Sequence, residues 1–345
     1  MQQDMHYYGT YVLACAAGIP AADAQTIAFS AQWVDDQDFT ETTEFDDGAA
    51  IAATATAHHP VDAGLRAEFF RRAGSFDDAR QVWVPFHFLP GNEGETFQQR
   101  LVCKKNSKTA HEMLTYHLGS ARDDFGLHLA GIAAHVFSDT FAHYGFLGIR
   151  SSLNDVDAGT LEFDNISPSV RNYFLDQKER FKRHVIDTPL LGHGGVATNP
   201  DRPYLKWRFK YADGRDSGLR DNPATFWEAC QELYAFFRKF SQAKYESSNL
   251  KVVPLDEISG EIQRILSLHL PEEERSQAWI SSLEQRGLSS IPLCKEYFAK
   301  DWGIPKVDGA DHLLRSNFYK FHQAADYHRS YVLRVLLPKV GLVVA

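Results

Sequence analysis

The chain has 345 residues, of which 44% are hydrophobic and 23% are charged, and its formal net charge is −9. This composition is that of a globular protein with a sizeable core, and it argues against a chain that is disordered throughout. The net negative charge means that the chain as a whole lacks the excess of positive charge that binds nucleic-acid backbones, so we expect no nucleic-acid partner.

The N-terminal part of the chain predicts two helices over residues 6–34, on either side of the break Gly18-Ile19-Pro20. Apolar residues recur at helical spacing through the second helix, which predicts one buried face. Farther on, residues 54–57 and 79–88 are candidates for short strands. Pro85 would place the second of these at a sheet edge, because proline cannot donate to a central strand ladder.

Helical periodicity accounts for most of the remaining chain. Helices are predicted over residues 107–117, 123–148, 225–245 and 311–336. Residues 171–183 carry Lys and Arg together with acids, which indicates a solvated helix face better than a basic groove. Residues 187–222 are rich in Gly, Pro, Asp and aromatic residues, and they predict a long loop.

These elements predict an all-α fold, with one multi-helix domain over residues 1–345 that holds a metal cluster between core helices and carries long loops. Residues 1–215 would form its metal-site half, and residues 216–345 its helical C-terminal half. Within the second half, the polar residues 255–286 predict a peripheral helical pair or a lid, which we place at 255–305.

The sequence also carries signals about the compartment. It contains no run of about eighteen apolar residues, so no transmembrane helix is predicted. The start, Met1-Gln2-Gln3-Asp4, lacks the basic-then-apolar order of a secretory signal. The four cysteines lie far apart without a Cys-x-x-Cys motif, and they are predicted to be reduced thiols. Together these features predict a cytoplasmic protein, and they leave its oligomeric state open.

The strongest chemical signal lies between Gly131 and His143. His135, Asp139 and His143 are spaced at i, i+4 and i+8, which places them within about 80° on one stripe of a helix. The rest of this helix is apolar or small, so the stripe is predicted to be buried. A buried carboxylate between two imidazoles is costly without partners, and a divalent ion such as zinc binds both ligand types. A hydrogen-bond network of core histidines around Asp139 is the alternative, and we favour metal.

Further candidate ligands lie elsewhere in the chain: His6 opens the first helix, Asp35 and Asp36 end the second, His87 interrupts an apolar run, and His193 stands between glycines. Acids at a helix C-terminus oppose the macrodipole, so either a nearby cation or plain solvent must favour Asp35 and Asp36 there. Each of these candidates also has a simpler interpretation. His6 could be a surface or core histidine, and Asp35 and Asp36 could be solvated acids. His87 could be a satisfied core histidine, and His193 could be part of a simple glycine turn.

The segment from Gly131 to His143 resembles the central metal helix of the zinc-dependent phospholipase C and S1/P1 nuclease superfamily. Its His-x-x-x-Asp-x-x-x-His spacing after a Gly-Ile is most similar to the glycosylphosphatidylinositol-specific phospholipase D branch. The resemblance implies an all-α fold, a cluster of up to three zinc ions and the hydrolysis of phosphodiesters. The whole chain is also similar to bacterial proteins of unknown function that share its His-Tyr-Tyr-Gly-Thr-Tyr opening and its Pro-Asp-Arg-Pro segment.

By the order of its motifs, the resemblance extends over roughly the first 205 residues. It implies the metal ligands His6, Asp36 (or Asp35), His87, His135, Asp139, His143 and His193. Asp201 loosely matches an acid that follows the last of these histidines. Secreted members also bind zinc through a free N-terminus, for which Asp4 could substitute here, or the corresponding metal could be missing.

We therefore expect a metal-dependent hydrolase of phosphoesters, phosphodiesterase- or phospholipase-like, with a small-molecule or lipid-like substrate. Its ions would lower the pKa of a bridging water and bind the charge on the phosphoryl oxygens. Asp139 or Asp36 would be the catalytic carboxylate. Two cations are predicted to bind phosphate, and two aromatic residues to wall the pocket. These residues are Arg202, Lys206, Tyr7 and Trp207.

Two alternatives remain open at this stage. Iron or manganese held by the same His and Asp ligands would support oxidative chemistry. A closed coordination shell without a position for water would instead indicate a metal-binding protein that is not catalytic.

Overall fold

The computed structural model describes residues 1–45, 48–57, 79–164, 191–246, 250–285, 287–304 and 310–344. The helix face predicted over residues 171–183 lies outside the described residues, as do the first four residues of the predicted loop 187–222.

Two packed helices open the chain. A π-helical segment, Asp4–Gly9, continues into helix α1, Thr10–Ala16. Gly18 then adopts a φ of 93°, a left-handed conformation that glycine tolerates best, and the chain reverses into α2, Ala21–Asp36. The predicted pair of helices and the break between them are confirmed.

The two candidate strands before residue 90 are wrong. Residues 79–88 begin with a π-helical segment, Ala79–Trp83, and a single turn α3, Val84–Phe86. Pro85 lies in the first turn of α3, where a helix does not need its missing N–H, so the β-forming residues around it do not enforce a strand. Residues 54–57 are held against the end of α2 by hydrogen bonds from the N–H groups of residues 56 and 57 to Gln37 O.

Three helices follow, and the first two begin at a residue whose side chain caps the helix. Thr96 caps α4, Phe97–Leu101, through a capping box, and Ser107 caps α5, Lys108–Leu118. The long helix α6, Gly126–His143, is buried along almost its whole length and packs against α2 and α5. Its apolar composition explains that position, because a helix that is apolar all round has to be covered on every side.

The contact between α2 and α6 is close because α6 carries a glycine at the crossing. A Cβ on Gly131 would lie 2.3 Å from Ile27 O and 2.5 Å from Ser30 Cβ. The absence of that Cβ brings the two backbones together. One turn farther along α6, His135 Nδ1 consequently reaches Ala31 O at 2.8 Å.

We expect Gly131→Ala to lower the free energy of unfolding by about 1–3 kcal/mol, the usual cost of overpacking a core. Gly260→Ala is the matched control: its new Cβ would meet nothing within 4 Å, and the gain in helix propensity should stabilise the protein by about 0.5–1 kcal/mol. Chemical denaturation of both variants measures the difference. A Gly131→Ala protein as stable as the unmodified one would contradict the close crossing.

The C-terminal part of the chain is helical. Its helices are α7, Asn222–Lys244; α8, Leu255–Leu266; α9, Glu272–Gln285; α10, Ala310–Arg315; and α11, Asn317–Tyr331, which runs through a π-helical segment, Val332–Leu336, into a last turn α12, Leu337–Lys339. A buried ion pair fastens α9 to the start of the chain. Arg275 Nε donates to Asp4 Oδ2 at 2.8 Å, and both side chains are 0% exposed.

The all-α prediction is wrong, because the mostly helical described structure also contains two small antiparallel sheets. Strand β1, Thr42–Glu44, pairs with β2, Ala50–Ala52. In the second sheet, β4, Lys206–Tyr211, lies between β3, Val156–Asp164, and β5, Arg220–Asp221. The two later strands fall in the segment predicted to be a long loop.

A physical signal for the second sheet was present in the sequence. Along β4, Trp207, Phe209 and Tyr211 are buried while the cationic residues between them point outward, which is the alternation of a half-buried strand. With Phe88 and Phe146 these residues form a second aromatic core, separate from the main helical core. The loop interpretation failed because it weighed the Gly, Pro and Asp content of the segment above this period of two.

Among the described residues, none of the helices combines the length and the apolar character that crossing a lipid bilayer requires.

Candidate metal centre

The site is built on α6. His135, Asp139 and His143 lie on one stripe of this helix and are 0%, 1% and 5% exposed, as the i, i+4, i+8 spacing predicts. Because α6 is apolar elsewhere, no bulk water solvates these three groups. They have to find partners on the segments that pack around the helix.

Three of those segments complete what we call the first ligand cluster. Its members are His6, Asp35, His87, His135 and Asp139. Asp139 is its centre: Oδ2 lies 3.2 Å from both His87 Nδ1 and His135 Nε2, while Oδ1 lies 3.1 Å from His6 Nε2. Asp35 faces the same histidines from α2, with Oδ1 3.8 Å from His87 Nδ1 and from His135 Nε2.

A second ligand cluster adjoins the first at the C-terminal end of α6. It consists of His143, His193 and Asp201. The two carboxylate oxygens of Asp201 divide between the histidines: Oδ1 lies 2.9 Å from His143 Nε2, and Oδ2 lies 3.6 Å from His193 Nε2. The two clusters meet at Asp139, whose Oδ2 is 3.5 Å from His143 Nδ1.

The α-amino group of Met1 lies between the two clusters in this structure. It is 2.6 Å from Asp139 Oδ1 and 3.3 Å from Asp201 Oδ1, and it is fully buried. The proposed substitute, Asp4, lies elsewhere, because it pairs with Arg275. Both carboxylates at the junction of the clusters therefore contact the α-amino group.

The tautomer of each histidine is fixed by its surroundings. In every ring of the two clusters, one nitrogen faces a backbone carbonyl or a hydroxyl oxygen. These pairs are His6 Nδ1 with Ser138 Oγ (3.4 Å), His87 Nε2 with Thr56 O (2.8 Å), His135 Nδ1 with Ala31 O (2.8 Å), His143 Nδ1 with His87 O (2.8 Å) and His193 Nδ1 with Ala197 O (2.7 Å). A carbonyl oxygen only accepts, so the nitrogen that faces it carries the proton. Ser138 Oγ already donates to His135 O at 2.9 Å, so it accepts from His6 as well.

The other nitrogen of each ring consequently carries a lone pair that points into the cluster. His87 Nδ1 and His135 Nε2 lie only 3.3 Å apart and both face Asp139, although neither has a proton to share. His6 Nε2 is buried without a hydrogen-bond partner among the described residues. Lone pairs and carboxylates held together in this way repel one another unless a cation offsets the repulsion. The Met1 ammonium contacts Asp139 Oδ1 and Asp201 Oδ1, and His87 Nδ1, His135 Nε2 and Asp139 Oδ2 are left facing one another. The buried His and Asp groups of both clusters could hold a divalent metal ion.

The electrostatics of the site agree with this protonation pattern. Burial lowers the pKa of His135 and of His193 to about 4, so both rings are neutral at neutral pH, the form in which imidazole binds metal. Burial also raises the pKa of Asp35 to about 8. For Asp201, burial alone would raise the pKa, but the Met1 ammonium and His193 hold it below its usual range.

An open cleft reaches both clusters. It is lined by ligands of both clusters, Asp35, His87, His143, His193 and Asp201, and by Met1, Ala57, Trp83 and Phe88. No lysine or arginine side chain is among these lining residues. A bound molecule would thus meet the candidate ligands directly, and its other contacts with the described residues would be mainly with apolar and aromatic groups.

The structure places Asp35, and not Asp36, against the histidines. Asp36 was predicted to be both a ligand and a catalytic carboxylate, but it accepts hydrogen bonds from Tyr297 and Gln32 instead. Consecutive residues of a helix point about 100° apart, so only one of the two acids on α2 can face α6. The sequence alone could not decide which, because both acids end the same helix.

None of the four residues predicted to contact substrate is among the described residues that line the cleft. Tyr7 follows His6 on the helix and points away from it, donating to Lys295 O at 2.9 Å. Lys206 pairs with Asp221 at 2.7 Å, and Arg202 donates to Tyr204 Oη at 3.2 Å. Trp207 is 0% exposed in the second aromatic core. Trp83 and Phe88 line the cleft instead.

Residues 1–336 match a family model described as "Family of unknown function (DUF6765)". No curated protein and no solved structure matches the chain. The matched region contains every residue of both ligand clusters.

Proposed function

The chain belongs to the DUF6765 family, whose function is unknown, and we propose from the geometry of its metal centre that it is a metal-dependent hydrolase of phosphoesters. The observation that carries this proposal is the convergence of five histidine lone pairs with three carboxylates at an open cleft. A purely structural metal site would be closed on all sides, whereas catalysis needs a position that substrate or water can reach.

Asp139 would be the carboxylate shared by the histidines of the first ligand cluster. Its Oδ1 faces His6 and the Met1 ammonium, and its Oδ2 faces His87 and His135. The second ligand cluster adds a further position next to it. We therefore propose two or three divalent ions, with zinc as the first choice because imidazole and carboxylate together suit it.

When bound, ions in such a site supply a water nucleophile at neutral pH and neutralise charge that develops on the phosphoryl oxygens. The protein's own contribution is to hold its histidines in the correct tautomer and to orient the substrate and the water. Asp35 lines the cleft with a side chain that is 30% exposed. A cation bound beside it would favour its ionised form, in which it would be placed to accept the proton of an attacking water. Among the described residues no lysine or arginine lines the cleft, so within this part of the chain the charge of a phosphoester would be met chiefly by the ions.

The resemblance of the segment Gly131 to His143 to the phospholipase C and S1/P1 nuclease superfamily supports a phosphodiester as the substrate. A second candidate follows from the ligand set of one group. His87, His135 and Asp139 form a two-histidine, one-carboxylate set, which also suits iron in oxidative enzymes. The five histidines and three carboxylates favour several ions over a single iron, so hydrolysis is the first candidate.

Protein purified without a metal-affinity tag should contain transition metal by elemental analysis. With zinc or manganese it should cleave an aryl phosphodiester, and a chelator should abolish the cleavage. His111→Ala, which removes an exposed histidine outside both clusters, is the control and should keep full activity. Metal-replete protein that turns over no phosphodiester, phosphomonoester or phospholipid would rule out the hydrolase. Iron with an oxygen-dependent colour change would support the oxidative enzyme instead.

A further inference from the structure

A buried arginine lies at the C-terminal end of α6. Arg220 is 1% exposed and takes part in no ion pair among the described residues. Its Nη2 donates to Ala142 O at 2.6 Å and its Nη1 to Tyr144 O at 2.9 Å, while the ring of Tyr144 covers the guanidinium at 3.7 Å. The two carbonyls flank His143, so one planar group fixes the backbone on both sides of this candidate ligand.

Two residues farther along the chain, Asn222 also donates hydrogen bonds to backbone carbonyls, in this case on either side of the ligand Asp201. Asn222 is 2% exposed, and its Nδ2 donates to Asn199 O at 2.8 Å and to Arg202 O at 2.7 Å. These carbonyls belong to the turn that carries Asp201. Trp207 Nε1 donates to Asn222 Oδ1 at 3.2 Å and fixes the orientation of the amide.

One short segment therefore holds both sides of the second ligand cluster. Arg220 begins β5 and pairs there with Trp207, and Asn222 begins α7. The ligands beside which they donate are His143 and Asp201, and His143 Nε2 lies 2.9 Å from Asp201 Oδ1. We propose that Arg220 and Asn222 form an outer clamp that sets the spacing of His143 and Asp201 and so determines how tightly the second cluster binds its metal. The inference rests on the metal centre of the proposed function.

The choice of an arginine at position 220 follows from what it binds. The carbonyls of Ala142 and Tyr144 at the end of α6 need hydrogen-bond donors, and an apolar residue of similar size would leave both without this donor. The planar guanidinium donates to both carbonyls at once and holds them in a fixed geometry. A lysine cannot reproduce this pair of hydrogen bonds, because its ammonium is a single point and not a rigid fork.

The test uses Arg220→Lys and Asn222→Asp in the full-length protein, with Zn²⁺ titration and elemental analysis as readouts. Asn222→Asp keeps the shape but replaces the donor amide with a carboxylate that faces carbonyls. His193→Ala is the reference that removes one ligand of the second cluster. Both clamp variants should bind the ion that is lost in His193→Ala about 10- to 100-fold more weakly, the usual effect of losing a group that orients a ligand, and should retain the other metal.

Two comparisons separate positioning from general stability. Arg208→Lys changes an arginine that is 49% exposed on the neighbouring strand, and it should leave Zn²⁺ affinity unchanged. With limiting Co²⁺ in place of zinc, the part of the visible spectrum that is missing in His193→Ala should be weakened in Arg220→Lys. The double variant Arg220→Lys/His193→Ala should lose no further metal. Folded clamp variants with unchanged affinity for the second ion would overturn the proposal.

A measurement on a variant with the clamp intact keeps the proposal testable if both clamp variants fail to fold. Coupling between two sites is reciprocal, so loss of the second metal should loosen the clamp. Hydrogen exchange at the backbone N–H of Asn222, which donates to Leu205 O, should therefore be faster in His193→Ala than in the unmodified protein. Equal exchange would contradict the coupling. Unmodified protein without bound metal would remove the proposed function itself, a result distinct from failure of the clamp.

Discussion

Asp139→Asn is expected to lose metal and thermal stability together. Asp139 contacts three histidines of the first ligand cluster and the α-amino group of Met1, all within 3.2 Å. An asparagine keeps the shape of the side chain but removes the charge that a bridging carboxylate supplies. At a metal concentration about a thousandfold above Kd, the loss of binding alone would lower the free energy of unfolding by about 4 kcal/mol.

The matched control is Asp326→Asn on α11, where the carboxylate is 60% exposed and pairs with Arg329 on the same helix. It should leave both metal content and melting temperature nearly unchanged. Thermal unfolding with and without a chelator then separates metal from a plain hydrogen-bond network. The chelator should lower the melting temperature of the unmodified protein more than that of Asp139→Asn, which keeps only the second ligand cluster intact. No change in the unmodified protein would mean that Asp139 orders core histidines without a metal.

The adjacent acids on α2 provide the second test, because they have the same chemistry and point in different directions. Asp35→Asn should reduce kcat/KM for an aryl phosphodiester by roughly a hundredfold or more, which corresponds to about 2.7 kcal/mol in the barrier. Asp36→Asn should stay within about threefold of the unmodified protein, since an amide can still accept the hydrogen bonds of Tyr297 and Gln32.

Steady-state kinetics at saturating metal measures both variants, and unfolding curves show whether either effect comes from stability. The comparison is sharp because each variant removes one charge at neighbouring positions. Equal losses would indicate a general field effect of acids near the cleft. A larger loss in Asp36→Asn would restore Asp36 as the functional residue that the sequence suggested.

Local spacing revealed the part of the site that lies on a single helix. His135, Asp139 and His143 fall on one stripe of α6 because 3.6 residues make a turn, whatever the rest of the chain does. Which of Asp35 and Asp36 faces the histidines depends on the rotation of α2 about its axis. That rotation is set by packing against α6, which the sequence of α2 alone does not show. The apolar pattern of α2 predicted a buried face, but not which of two terminal acids would follow it.

The remaining errors have one physical cause, which is that tertiary contacts override local composition. Trp207 was interpreted as a pocket wall because it is aromatic, but the alternation along β4 places its side chain in the second aromatic core. Arg220 and Asn222 left no signal of their own, since a lone arginine or asparagine in a segment rich in polar residues is usually solvated. Only the fold shows that their partners are carbonyls beside His143 and Asp201.

The buried ion pair between Arg275 and Asp4 has a consequence for the order in which the protein matures. It joins positions 271 residues apart. Closing so long a loop loses conformational entropy, and this loss precedes the stabilisation that the ion pair provides. We therefore expect the N-terminal segment to gain its final place late, after α9 has been synthesised and has folded. His6 leaves the ribosome before every other ligand of the two clusters and would be the last to be immobilised. Metal would then enter a nearly finished protein and not a nascent chain.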